Sequence, residues 1–179
     1  MDGIVVPYDR EWPRLFEAER ARLEGVLAPW LEQGIHHIGS TSVPDLAAKP
    51  IIDMIAGVQN LEEARAAFEP LSTLGYQHRE HRPEAHCFWK PAPDMPLGAT
   101  HHLHLTEPES DIWRERLAFR NALRANPALR AEYELWKRRH ESTTEPGTYT
   151  ADKRPFVARV LAEANLDLKP DSQRLSPEF

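Results

Sequence analysis

Asp53 stands in the run Ile51-Ile52-Asp53-Met54-Ile55-Ala56-Gly57-Val58, the one charged residue in an otherwise apolar stretch. A carboxylate placed there loses its hydration unless a positive charge or hydrogen-bond donors meet it. On a strand, alternation puts Ile51, Asp53 and Ile55 on one face. Lys49, an arginine or backbone amides could satisfy Asp53 within the protein. The favoured expectation is that it faces a ligand or a metal, because buried unpaired carboxylates are rare.

His101, His102 and His104 place three imidazoles within the short apolar segment Thr100 to Thr106. Read as a strand, His102 and His104 share one face, and His101 joins Leu103 and Leu105 on the other. Two imidazoles at i and i+2 suit a metal site, or one base with an orienting partner. Histidine ligation favours Mn, Fe, Ni or Zn over Mg, which prefers oxygen. His36, His37 and His86 are weaker candidates.

Shortly before the Asp53 run lies Gly39-Ser40-Thr41-Ser42. A glycine beside small hydroxyl residues lets backbone amides approach an anion closely, and the hydroxyls add donors. Lys49 is near enough to balance a phosphate, or equally to neutralise Asp53. Arg116, Arg120 and Arg124 recur at four-residue spacing, for which a solvated helix face is the expectation. Tyr149 and Lys153 could hold a nucleotide, although surface positions explain them as well. Cys87 has no partner cysteine and reads as a small buried hydrophobe.

These residues need elements to carry them. Trp12, Leu15, Phe16, Leu23, Val26 and Leu27 recur with helical spacing, with Pro13 in the first turn and Pro29 and Gly34 at the end. His36 to Gly39 reads as a short extended approach to the serine-rich turn. Ile51 to Val58 is a strand covered on both faces. Asn60 and Glu63 cap a short helix that Gly75 closes. Tyr76 to Trp89 holds one or two strands that turn near Pro83, a proline-rich loop follows, and Thr100 to Thr106 is a further strand. Ser110 caps one helix, Asn126 and Pro127 start a second, and a third begins near Thr150. The order predicts a single α+β domain over residues 1–164, with 165–179 a mobile polar tail.

The chain has 179 residues, with 28 acidic and 22 basic side chains giving a net charge of −6. This acidic balance argues against duplex nucleic acid as a partner, because phosphate contacts need a concentrated basic face. No apolar run approaches the ~18 residues of a membrane span, so a membrane partner is not expected. A single cysteine excludes an internal disulfide and points to a cytoplasmic setting.

The segments His37-Ile38-Gly39-Ser40-Thr41-Ser42-Val43-Pro44 and Leu46-Ala47-Ala48-Lys49-Pro50-Ile51-Ile52-Asp53 resemble the signature of the GrpB family. The resemblance continues through Tyr8 to Pro13, His101 to Leu105, Leu117 to Arg120 and Tyr149 to Lys153, and so spans most of the chain to about Ala164. That family belongs to the nucleotidyltransferase superfamily and is related to an extension of some dephospho-CoA kinases. The resemblance implies a nucleotidyltransferase-like fold, a mixed sheet flanked by helices. It also implies a phosphate-gripping Gly-Ser turn, paired metal-binding acids on a strand, and a third acid on a neighbouring strand. Gly39 and Ser40 match the turn, and Asp53 matches the first acid. Ile55 stands at the second, and His102 or His104 lies on the strand of the third.

The expectation is therefore nucleotidyl transfer to a small molecule, with a nucleotide as substrate and a divalent metal, Mg, Mn or another transition metal, as cofactor. Asp53, His102 and His104 would carry the metal and the catalysis. Gly39, Ser40, Thr41, Ser42, Lys49, Tyr149 and Lys153 would bind substrate and phosphate. The alternative is a binding domain that has lost the metal site.

Overall fold

A computed structural model describes residues 5–95, 97–140 and 146–164, with the backbone alone at 81–82 and 146–152. Helix α1 (Trp12–Leu27) leads into strand β1 (Leu31–Ile38), and a 3-10 turn over Ser40–Ser42 precedes β2 (Ile52–Val58). A 3-10 turn over Glu63–Ala67 continues as α2 (Phe68–Thr73), then β3 (Gln77–Arg82), β4 (Ala85–Pro91) and β5 (Ala99–Thr106) follow. Helices α3 (Asp111–Ala125), α4 (Pro127–His140) and α5 (Pro146–Glu163) close the chain. The domain is α+β: a mixed sheet of order β1-β2-β5-β4-β3 with helices on both faces.

β2 lies between β1, antiparallel to it, and β5, parallel to it. That central place explains its near-continuous apolar sequence, since both faces are covered. On one face Ile52, Met54, Ala56, Leu103 and Leu105 meet Trp12, Phe16, Leu23 and Leu27 of α1. Each fully buried aliphatic side chain there contributes roughly 1.5–3 kcal/mol. The opposite face packs Ile38 and Ile55 beneath Trp113 and Leu117 of α3. A third cluster ties Val43 and Leu46, after the serine turn, to Leu123, Tyr133, Phe156 and Val160 of the C-terminal helices.

Several boundaries differ from the sequence reading. Leu15 is exposed, and the buried stripe of α1 runs instead through Trp12, Phe16, Glu19, Leu23 and Leu27. β1 starts at Leu31 rather than near His36. Gly34 lies inside it, where a positive φ of 72° accommodates an irregularity between Leu31 and Ile35. α5 begins at Pro146, before Thr150, and keeps Pro155 within it. The predicted caps hold: the Glu63 amide donates to Asn60 Oδ1 at 2.9 Å, and the Trp113 amide to Ser110 Oγ at 3.3 Å. The expected tail, 165–179, lies outside the described residues.

Candidate functional site

The register of the sheet sets one row of side chains on the α3 face. Ile38 pairs with Asp53, Asp53 with His102, and His102 with Trp89. In the parallel β2–β5 pair, directly opposed residues project to the same side, so two positions far apart in sequence become neighbours. His102 Nδ1 donates to Asp53 Oδ1 at 2.9 Å. The Asp53 side chain is 31% exposed and that of His102 only 7%, so the carboxylate is the member that reaches solvent.

Gly39 completes the other side of Asp53. Its φ is +67°, and a Cβ there would overlap the Asp53 carboxylate and lie 2.9 Å from Asp53 Cβ. Glycine is required by both conformation and close approach. The turn that follows is held by the Ser42 amide and the Val43 amide, donating to Gly39 O and Ser40 O at 3.3 and 3.1 Å. The N–H groups of Ser40 and Thr41 therefore have no acceptor within the turn.

The hydroxyls divide their work. Thr41 is buried, its hydroxyl donating to Ile51 O and accepting from His37 Nε2, both at 3.0 Å. Ser42 Oγ donates to Gly39 O at 2.6 Å. Both hydroxyls thus shape the turn, while half-buried Ser40 has no side-chain bond among the described residues. His37 stacks on Phe16 with ring centroids 4.7 Å apart. Burial, reinforced by the Arg124 and Arg120 charges, lowers its pKa to about 3, so it stays neutral and fixes Thr41.

Arg120 and Arg124 were expected on a solvated face. The structure instead directs Arg120 Nη1 to His37 O at 2.9 Å, and Arg124 Nε and Nη2 to Ser42 O at 2.9 and 2.7 Å. Lys137 Nζ, buried on α4, donates to Ala47 O. Three cations from two helices thereby grip the loop that carries the turn. Burial and the neighbouring Arg124 lower the Arg120 pKa to about 10, and it remains charged at neutral pH.

The remaining predicted residues scatter. His104 pairs across the sheet with Ile55 and Cys87, one step along from Asp53, and its Nδ1 lies 3.2 Å from Cys87 Sγ. Lys49 is half-buried in the loop ahead of β2. Lys153 is buried, with Nζ 5.7 and 5.6 Å from the Phe119 and Tyr133 ring centroids. The Tyr149 side chain lies outside the described residues.

The donor set does not fit the divalent metal that the nucleotidyltransferase resemblance implies. One Asp53 oxygen is engaged by His102, and the other abuts Gly39. Ile55, at the place of a second acid, is fully buried against Ile38, Trp113 and Leu117. Among the described residues no three His, Cys, Asp or Glu side chains are grouped to hold a metal ion.

Sequence reasoning passed over a second polar cluster behind the sheet. Glu19, on the apolar stripe of α1, accepts from Lys90 Nζ at 2.7 Å and from the Tyr76 hydroxyl at 3.0 Å. Burial alone would raise its pKa, but the Lys90 hydrogen bond and charge outweigh that and hold it below the usual range. A glutamate in step with Trp12, Phe16, Leu23 and Leu27 was the available signal.

Residues 4–163 match the GrpB protein family. The chain is 34% identical to the glutamate-rich protein GrpB of Alkalihalophilus pseudofirmus over 165 residues, covering 89% of this chain and 94% of that protein. Over 80 residues it is 36% identical to a dephospho-CoA kinase of Mycolicibacterium paratuberculosis, covering 43% of this chain and 19% of the kinase. Its fold matches the crystal structure of the conserved protein GrpB from Enterococcus faecalis with a TM-score of 0.78 and 31% identity, over 89% of this chain and 96% of that one. It also matches the Cid1 poly(U) polymerase with Mg 3′-dATP bound, with a TM-score of 0.55 and 13% identity, over 84% of this chain and 50% of that one. The last likeness shows a shared nucleotidyltransferase-type fold. Among the described residues no helix is long and apolar enough to cross a membrane.

Proposed function

The chain belongs to the GrpB family, and from that premise we propose that it binds a nucleotide or another phosphorylated small molecule on a nucleotidyltransferase frame. The observation that carries this reading is the 2.9 Å Asp53–His102 pair set directly against the Gly39 turn. The Cid1 neighbour, by its own description, holds Mg 3′-dATP on a related fold, which supports a nucleotide as the ligand class. The Ser40 and Thr41 amides and the Ser40 hydroxyl take the phosphate, and Lys49 supplies positive charge nearby. Thr41 and Ser42 keep the turn in shape, and Lys153 serves the packing of Phe119 and Tyr133.

A second reading, nucleotidyl transfer, is favoured by the Asp53–His102 contact itself. A carboxylate that orients an imidazole prepares it to take a proton. In that reaction His102 takes the proton of an acceptor hydroxyl, whose oxygen bonds to the α-phosphorus. The bond from that phosphorus to the bridging oxygen breaks, and pyrophosphate leaves.

Titration calorimetry with nucleoside triphosphates, with and without a chelator, tests the first reading. Binding should survive chelation. Asp53→Asn should tighten it several-fold, because an unscreened carboxylate beside a phosphate repels it. Loss of binding on chelation together with weakening in Asp53→Asn would instead restore a metal to the site. No binding of any nucleotide or of inorganic triphosphate refutes the reading. Release of pyrophosphate that vanishes in His102→Gln establishes the second.

A further inference from the structure

Of the five tryptophans, four are tied into the protein. Trp12 packs edge-on to Tyr8, Trp113 to His36, Trp136 stacks on Tyr133, and Trp30 packs on the main core. Trp89 differs. It is half-buried and belongs to none of the apolar clusters, and its side chain makes no ring, cation or hydrogen-bond contact among the described residues. An indole carries a large apolar area and normally finds a partner.

The sheet register fixes where the indole stands. Trp89 is the cross-strand partner of His102, and neighbouring side chains of such a pair stand about 5 Å apart. The row therefore runs Ile38, Asp53, His102, Trp89, with the Gly39 turn beginning one residue beyond Ile38. At about 4.8 Å per strand, the turn and the indole lie roughly 14 Å apart on one face, with the Asp–His pair between them.

We propose that Trp89 is the stacking platform for a planar heterocyclic ring, the base end of the ligand whose phosphate lies at the Gly39–Ser42 turn. This rests on the reading of the turn as a phosphate site and adds which part of the ligand is recognised at the far end of the row. Stacking on an indole tolerates any base, so Trp89 selects for a ring rather than for a particular nucleotide.

The test pairs indole fluorescence with calorimetry, using a nucleoside triphosphate, the matching nucleoside and inorganic triphosphate as probes. The nucleoside triphosphate should quench the wild-type emission, and Trp89→Phe should remove most of that quench while retaining most of the affinity. Trp89→Ala should weaken nucleoside triphosphate roughly 5- to 150-fold and leave inorganic triphosphate unchanged. Unchanged nucleotide affinity in Trp89→Ala, or a full quench in Trp89→Phe, overturns the proposal while the phosphate reading stands. Equal weakening of inorganic triphosphate overturns it too, since that marks a structural role. If inorganic triphosphate binds as tightly as the nucleotide, and the nucleoside not at all, no ring is recognised and the platform is refuted. If none of the three binds, the turn reading fails first and the platform with it.

Discussion

His37 shows how much a single side chain contributes to the turn without touching a ligand. Buried against Phe16 and faced by Arg120 and Arg124, it stays neutral down to about pH 3, whereas in the unfolded chain it protonates near pH 6.5. Between those values the unfolded state binds the extra proton, so stability falls as pH falls. Denaturation midpoints should decline from about pH 6.5 downwards, and His37→Gln should delay part of that decline to the carboxylate range. His86 and His101, also lowered by burial, add to the slope, so the variant flattens it rather than abolishing it. Identical profiles for the two proteins would show that His37 does not control the acid limb.

Legibility at this scale followed chemistry that clashes with its surroundings. Asp53 and His102 stood out because each interrupts an apolar strand, and the structure joins them. Arg120 and Arg124 did not stand out. A basic helix face looks the same whether it meets water or a loop of carbonyls, and only the packing of α3 on that loop decides.

At the scale of elements, β2 explains why no second acid stands beside Asp53. Its alternation presents Asp53 and then Ile55 on the same face. Ile55 lies buried beneath Trp113 and Leu117 of α3, while the Asp53 side chain is 31% exposed. An acid at 55 would be sealed beneath Trp113 and Leu117 rather than placed beside Asp53. Ile55→Asp should therefore cost about 3–5 kcal/mol in urea unfolding. A stable variant that takes up one Mn per chain would contradict this account.

The elements themselves were legible where periodicity was strong: α1, β2, β5 and the caps of Asn60 and Ser110. The start of β1 was hidden because Leu31 is followed by polar Glu32 and Gln33 and then by a glycine. Its irregular pairing follows from Gly34's left-handed backbone, which no hydrophobic pattern encodes. Glu19 was overlooked for a related reason: a charge on an apolar stripe is interpretable only once Lys90 and Tyr76 are seen to converge on it.

At the scale of the molecule, the C-terminal helices act as a brace for the turn. Arg120, Arg124 and Lys137 donate to His37 O, Ser42 O and Ala47 O, while Leu123, Tyr133 and Phe156 cover Val43 and Leu46. Charged donors to carbonyls contribute about 1.5–3 kcal/mol each, less where exposed. The double variant Arg124→Gln, Lys137→Met should leave the sheet intact and loosen residues 39–48. Amide hydrogen exchange should quicken there and stay slow in β2 and β5. Uniform acceleration throughout the domain would mean that the brace supports the whole fold.

The Asp53–His102 contact crosses the parallel junction of the sheet and joins residues 49 apart in the chain. On a ribosome adding roughly 5–20 residues per second, Asp53 emerges seconds before its partner strand. β1 and β2 can form their hairpin early, yet the site does not exist until β5 slides in beside β2. A nascent fragment ending before residue 99 therefore carries the turn and the acid but lacks the histidine that engages it. Any role that needs the pair is confined to chains in which the parallel β2–β5 ladder has closed.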